Sequence, residues 1–247
     1  MTRHSFIAFV LLISLIGCKK PEDRSCFKGS GDPSTEERSF PGLRQVRLFD
    51  VIDYTFIQDS ADKVVIKAGA NLLDFIQTDF NDGVLTIADD NTCRWMRALP
   101  TKVEVEIHFT ELDLVYNESA GTSRSQGAIR QERFDWENWH TNSKTYLELD
   151  GGTAYISTNA GSSLIEVTGN AEHMEYYLSG ACQIKGRGLN SVTGYAHNVG
   201  SGDIVLTVNG GLLSGNIESH GNIVYYGEPN AIEIYSDTGG GELIHGE

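Results

Sequence analysis

The 247-residue chain carries 19 Lys and Arg against 34 Asp and Glu, a formal charge of -15 at pH 7. Acidity of this size argues against nucleic acid and anionic lipid surfaces as partners and fits a well-solvated protein. Twenty-seven glycines with only five prolines point to tight turns between regular strands rather than to a disordered linker protein.

At the N-terminus, Arg3 and His4 precede an apolar run from Phe6 to Ile16 that is interrupted only by Ser14. A bilayer span needs about 20 apolar residues, whereas a basic start before about 7 to 15 apolar residues reads as an export signal. The run closes on Leu15-Ile16-Gly17-Cys18, which resembles the lipobox of bacterial lipoproteins. Small residues there give the signal peptidase access to the bond, and the thiol of Cys18 takes a thioether-linked lipid. The resemblance implies a signal peptide over 1–17 and a lipidated, palmitate-bearing Cys18 as the first mature residue. Loss of Arg3 moves the formal charge to -16. No later segment is apolar enough to span, so lipid on Cys18 is the expected membrane anchor. The absence of Asp directly after Cys18 resembles lipoproteins released to the outer membrane of Gram-negative bacteria.

Residues 18–43 are charged and broken by Pro21, Pro33, Pro41, Gly29, Gly31 and Gly42, as a tether is. Besides Cys18 the chain holds Cys26, Cys93 and Cys182, in a compartment that permits disulfides. Cys26 lies in the tether and Cys93 follows the turn-rich Asp89-Asp90-Asn91, so the expected bridge joins these two and pins the tether to the domain. Cys182 stands where other copies of a repeat carry glycine and reads as a small buried residue.

A single β domain is expected over 44–247, with short strands up to residue 110. Val46 to Phe49, Tyr54 to Ile57 and Val64 to Ala68 have strand character, as does Val84 to Ala88 after the Asn81-Asp82-Gly83 hairpin signal. Asn71 to Phe80 fits either a turn of helix or another strand. Val103, Val105, Ile107 and Phe109 alternate with polar residues, the pattern of a half-buried strand.

From 111 onwards the sequence repeats itself. Ile165, Ile184, Ile204, Ile223 and Leu243 recur at intervals of 19 or 20 residues. Four residues before these anchors stand Gly161, Gly180, Gly200, Ser219 and Gly239; two residues before them stand Ser163, Cys182, Gly202, Gly221 and Gly241. Gly121, 40 residues before Gly161, extends the first series by two periods. A strand, a glycine corner and a second strand every 20 residues give an all-β fold, a parallel β-solenoid of stacked rungs, six or seven of them between Glu111 and Leu243. A meandering antiparallel sandwich is the competing reading.

Several stretches resemble the head GIN domain family of auto-transporter adhesins. They are Cys26-Phe27-Lys28, Val64-Val65-Ile66-Lys67-Ala68-Gly69, Asn71-Leu72-Leu73, Gly83-Val84-Leu85-Thr86-Ile87, Cys93-Arg94-Trp95, Gly200-Ser201-Gly202-Asp203-Ile204, Ile223 to Pro229 and Thr238 to Ile244. The resemblance implies a right-handed β-solenoid, a link to adhesion and no established catalytic residues. Cys182 and Ser219 depart from its glycine corners.

Candidate chemistry is sparse. Asp203 and Glu242 occupy one column two rungs apart, about 9.6 Å, at the wide edge of a hydrolytic carboxylate pair. The column seven residues before the anchors reads Thr158, Tyr177, His197, Asn216 and Ser236, too varied for a periodic ligand ladder. The histidines share neither zinc spacing nor a column, and the nonapeptide calcium repeat does not match a period near twenty. No cofactor or metal is expected. Phe134, Trp136 and Trp139 form the densest aromatic cluster, either core or a sugar- or protein-binding platform. Two functions remain. One is a non-enzymatic, lipid-anchored adhesin-like or scaffold module that binds an envelope protein or glycan, or itself through its C-terminal strand edge. The other is a carbohydrate-active β-helix enzyme, a lyase or hydrolase.

Overall fold

The computed structural model describes residues 29–91 and 102–247. In chain order its elements begin with β1 (Pro33–Ser39), β2 (Gln45–Leu48), β3 (Asp53–Gln58) and β4 (Lys63–Gly69). A 3-10 turn at Leu73–Phe75, β5 (Ile76–Asn81), β6 (Val84–Asp89) and β7 (Glu104–Phe109) complete the N-terminal part. Then come β8 (Leu114–Asn117), β9 (Thr122–Ser125), β10 (Arg133–Thr141) and three long strands, β11 (Lys144–Gly161), β12 (Leu164–Leu178) and β13 (Gln183–Asn198). The last five are β14 (Ile204–Val208), β15 (Leu212–Ile217), β16 (Ile223–Tyr226), β17 (Ala231–Asp237) and β18 (Leu243–His245).

The strands form two parallel ladders, as a solenoid requires and a sandwich does not. Ladder A stacks β6, β2, β8, β10, the second halves of β11, β12 and β13, then β15 and β17. Ladder B stacks β7, β3, β9, the first halves of the same long strands, then β14, β16 and β18. Each long strand therefore crosses from one ladder to the other. From β8 to β18 the chain makes seven successive rungs, about 20 residues each.

The anchor register is the one the repeat predicts. Ile165, Ile184, Ile204, Ile223 and Leu243 pair rung on rung, and the column runs back through Thr145, Ser123 and Tyr54. The four isoleucines are fully buried. One rung offers only a narrow apolar strip, and burying an isoleucine contributes about 1.5 to 3 kcal/mol, so each rung is stabilised chiefly by the next. Corners admit no side chain where backbones touch. A Cβ on Gly202 would lie 1.6 Å from the Cys182 carbonyl oxygen, and one on Gly221 would lie 1.9 Å from that of Gly202. Cys182 fits at its own corner because its Sγ is turned inwards, buried and free, and accepts the Ser163 N–H at 3.3 Å.

Two expected columns shift. Ser157, not Thr158, stacks beneath Tyr177, since the corner after Thr158 holds one residue more than the corner after Leu178 and Ala160 absorbs it at a φ of 65°. Gly121 lies in register with Ser143 rather than with Gly161, which pairs with Thr141. That displacement is two residues: β8 already pairs with β10 one residue late, Asn117 with Asn138, and the second extra residue is at Trp139-His140, where His140 has a φ of 47°.

The segment 71–80 resolves into both expected forms, a 3-10 turn followed by β5. The N-terminal strands do not merely precede the solenoid. β2 sits between β6 and β8, and β3 between β7 and β9, so the first rung in sequence is the second in space. β4 then adds antiparallel to β7, β1 to β4 and β5 to β6, closing that end of the stack.

Candidate binding face

Ladder A turns alternate side chains outwards, and the outward ones form columns along the stack. One column reads Asp135, Tyr155, Glu175 and Tyr195, acid and ring by turns. The next reads Arg47, Tyr116, Glu137, Ser157, Tyr177, His197 and Asn216, of which Ser157 is fully buried and accepts from Asn159. Rungs lie about 4.8 Å apart, so rings in one column meet. Tyr177 and His197 are 5.4 Å apart edge to face, and Tyr195 and His197 are 6.4 Å apart. Polar tips are fixed sideways. The Tyr195 hydroxyl accepts from Asn216 at 2.8 Å, His197 lies 3.3 Å from Glu218, and His173 Nδ1 is 2.7 Å from the Thr193 hydroxyl.

The three aromatic residues singled out in the sequence separate. Phe134 and Trp136 are core, which corrects the platform reading for both: Trp136 is fully buried between Val115 and Ile156, packs edge-on against Phe56 at 5.3 Å and donates its indole N–H to Asn138 at 2.8 Å. Trp139 has the opposite parity and is half-exposed on the outer face, stacked on Tyr116 at 5.8 Å and 22° with its N–H donated to Glu137 at 2.9 Å. Period-two spacing joins Phe134 to Trp136 without saying which face turns inward. Tyr116, Tyr155, Tyr177 and Tyr195 lacked a sequence signal of their own; counting outward positions back from the isoleucine anchors finds Tyr177 and Tyr195, whereas the extra residue at Ala160 throws that count off by one for Tyr155.

The acids shape this face electrostatically. Burial lifts the Asp135 carboxyl above its usual range; Arg133, 3.0 Å away, only partly offsets this, and Glu137 and Glu175 add to it. Burial and the Glu118 carboxylate push the Tyr116 hydroxyl up to about 12. Several rings spend their faces on neighbouring rings and their polar atoms on neighbouring side chains, so the surface offers area rather than convergent groups.

Elsewhere the chemistry is structural. Asp203 and Glu242 flank Asn222: Asp203 accepts the Asn222 N–H at 2.8 Å and the Asn222 amide oxygen accepts the Glu242 N–H at 3.0 Å, which braces a corner. A shallow depression of about 510 Å³ beside β1 and β4 is lined by Pro33, Thr35, Lys67, Lys102 and Glu104. Lys102 is paired there with Asp53 at 2.9 Å and Glu104 at 2.8 Å. Among the described residues no group of three His, Cys, Asp or Glu side chains could hold a metal ion, and no helix is long and apolar enough to cross a membrane. Cys18, Cys26 and Cys93 lie outside the described residues.

Comparison with known proteins points one way. The family described as "Putative auto-transporter adhesin, head GIN domain" matches residues 42–229. Among curated proteins nothing matches the sequence. Among solved structures, a "putative adhesin" from Bacteroides fragilis superposes with a TM-score of 0.78 at 16% identity, covering 87% of this chain and 97% of that one. A "putative adhesin" from Parabacteroides distasonis gives 0.61 at 20% identity, with 87% and 98% covered. A "putative lipid binding protein" from the same species gives 0.64 at 20%, with 88% and 98% covered. At these identities the likeness is one of fold.

Proposed function

Because the chain belongs to the head GIN domain family of auto-transporter adhesins, we propose that it is a non-enzymatic, lipid-anchored adhesin-like module of the cell envelope that engages a protein or glycan through the outer face of ladder A. The observation that carries this reading is the outward columns of rings, acids and amides on a stack of short-turned rungs. Such a face offers contact area and polar variety, whereas catalysis needs acid, base and nucleophile within hydrogen-bond reach of one reacting atom. Of the two carboxylates weighed as a hydrolytic pair, that of Asp203 is engaged in bracing a corner, where Glu242 takes part only through its backbone N–H.

Lipid on Cys18 would hold the module at the outer membrane, with residues 18–43 as its tether. Cys18→Ala should then leave unlipidated precursor and abolish detergent partitioning; a variant that still fractionates with membrane would place the anchor elsewhere. Residues 19–247 should bind arrayed envelope glycans or immobilised envelope protein, and a Trp139→Ala, Tyr177→Ala, Tyr195→Ala triple variant should bind at least tenfold less. The same preparation should show no turnover of polysaccharides, esters or phosphoesters. Polysaccharide cleavage lost on mutating Asp203 or Glu242 would sink the adhesin reading in favour of a β-helix enzyme.

A further inference from the structure

The last rung is uncovered. Ile232 stacks on buried Leu213 and Ile234 on buried Gly215, both facing the solenoid interior, yet Ile232 is 41% exposed because among the described residues nothing lies over it. Tyr235, on the outer side of the same strand, is 62% exposed, and Ile244 on β18 is 37% exposed. Beyond β17 and β18 no described strand pairs with their outer edges, so a row of backbone N–H and C=O groups borders an apolar end. His245 on β18 stacks on Tyr225 of the rung beneath at 4.7 Å and is itself exposed.

The charge of this end selects what can cover it. After Arg187 the remaining 60 residues contain seven acids and no Lys or Arg. Glu233, Asp237, Glu242 and Glu247 are all exposed around the last rung. Arg187 itself lies over the Tyr226 ring at 4.1 Å and donates to the Glu247 carbonyl. A second copy would bring the same acids against these, and like charges directly opposite across a strand pair are destabilising. Head-to-tail stacking meets a closed N-terminal end of antiparallel strands.

We propose that the C-terminal rung is a docking edge for an extended segment of a cationic protein partner, which adds a strand to β17, covers Ile232 and Ile234 and sets Lys or Arg side chains beside Glu233 and Asp237. Backbone pairing supplies the geometry and alternate side chains the selectivity. This edge ends ladder A, and Glu233 continues the outward column of Tyr195 through Ser214, but Trp139 on β10 stands five rungs away, so its substitution tests the outer face without touching the edge.

A labelled heptapeptide of alternating Lys and Val serves as probe, with its Glu-Val counterpart as control. The Lys-Val peptide should bind residues 19–247 at least tenfold more tightly and slow hydrogen exchange at β17 amides but not at β1 amides. Glu233→Lys with Asp237→Lys should reverse the preference between the peptides, while Glu166→Lys, an exposed acid far from the edge, should leave it unchanged. Trp139→Ala should leave peptide binding unchanged. Equal affinity for the two peptides, insensitivity to the double reversal or protection spread away from β17 would overturn the proposal. A concentration-dependent dimer in sedimentation, lost on Ile232→Asp and without peptide binding, would overturn it in favour of a second copy.

Discussion

The two ends of the solenoid solve one problem differently. At the N-terminal end antiparallel strands β1, β4 and β5 cover the last parallel rung, and Arg38 ties the two sides together. From β1 its guanidinium donates to the Ile76 carbonyl at 2.6 Å and the Thr78 hydroxyl at 2.9 Å in β5, and to the Leu73 carbonyl at 3.3 Å. Ile66 on β4 is fully buried in consequence, whereas Ile232 at the other end is 41% exposed. A parallel stack always presents two open faces, and this chain closes one with β1, β4 and β5 while leaving acid and apolar side chains on the other. A closed end serves stability; the other is the end proposed above as a docking edge.

The sharpest test of that contrast compares the same substitution in the middle and at the end. Ile204→Asp buries an unpaired charge between Ile184 and Ile223 and should destabilise by at least about 4 kcal/mol or prevent folding. Ile232→Asp should cost about 1 kcal/mol or less in denaturant titration, because its side chain already meets water. Similar losses at the two sites would refute the open end.

Next in size is the N-terminal closure. Arg38→Ala removes charge-assisted bonds to two carbonyls and should cost about 2 kcal/mol, with faster hydrogen exchange confined to β1 and β5. Asp203→Ala is a smaller change at a mid-stack corner. From sequence alone it is nearly silent, under about 0.5 kcal/mol as an exposed substitution. The Asn222 N–H it would orphan raises the expected cost to about 1 kcal/mol in the same titration.

Acid divides the regions as well. Burial pushes the Asp62 carboxyl up, but bonds from the Thr110 N–H and hydroxyl and the Gly42 N–H hold it below the usual range. Its folded pKa is depressed, so its contribution is present above the unfolded value and is lost as the pH falls through the folded one, below about pH 4. Asp135 has the opposite sign: its raised folded pKa costs stability at neutral pH, and protonation relieves that cost as the pH falls. Asp135→Asn should therefore raise Tm at pH 7 and lose that gain near pH 3.5, while Asp62→Ala should lower Tm at pH 7 by an amount that shrinks only in part by about pH 3.5, because the folded pKa of Asp62 is depressed. Thermal melts at both pH values check the pair. The smallest step is covalent: peptide mapping without reductant should find Cys26 joined to Cys93 and Cys182 free, and a free Cys93 would discard the pinned tether.

The 20-residue period determined the ladder B register, the inward isoleucine column and the buried, unbridged Cys182, because a parallel rung needs the same side chain at the same place as its neighbour and that demand is written locally. Which face of β10 turns inward was not written there. Only the packed rungs decide that Trp136 fills the space between Val115 and Ile156 while Trp139 stacks outside on Tyr116. The placement of β2 and β3 between later strands, the one-residue shifts at Ala160 and His140, and the unequal closure of the two ends are likewise tertiary. Each depends on which backbone lies alongside, a choice made by contacts between residues far apart in the chain.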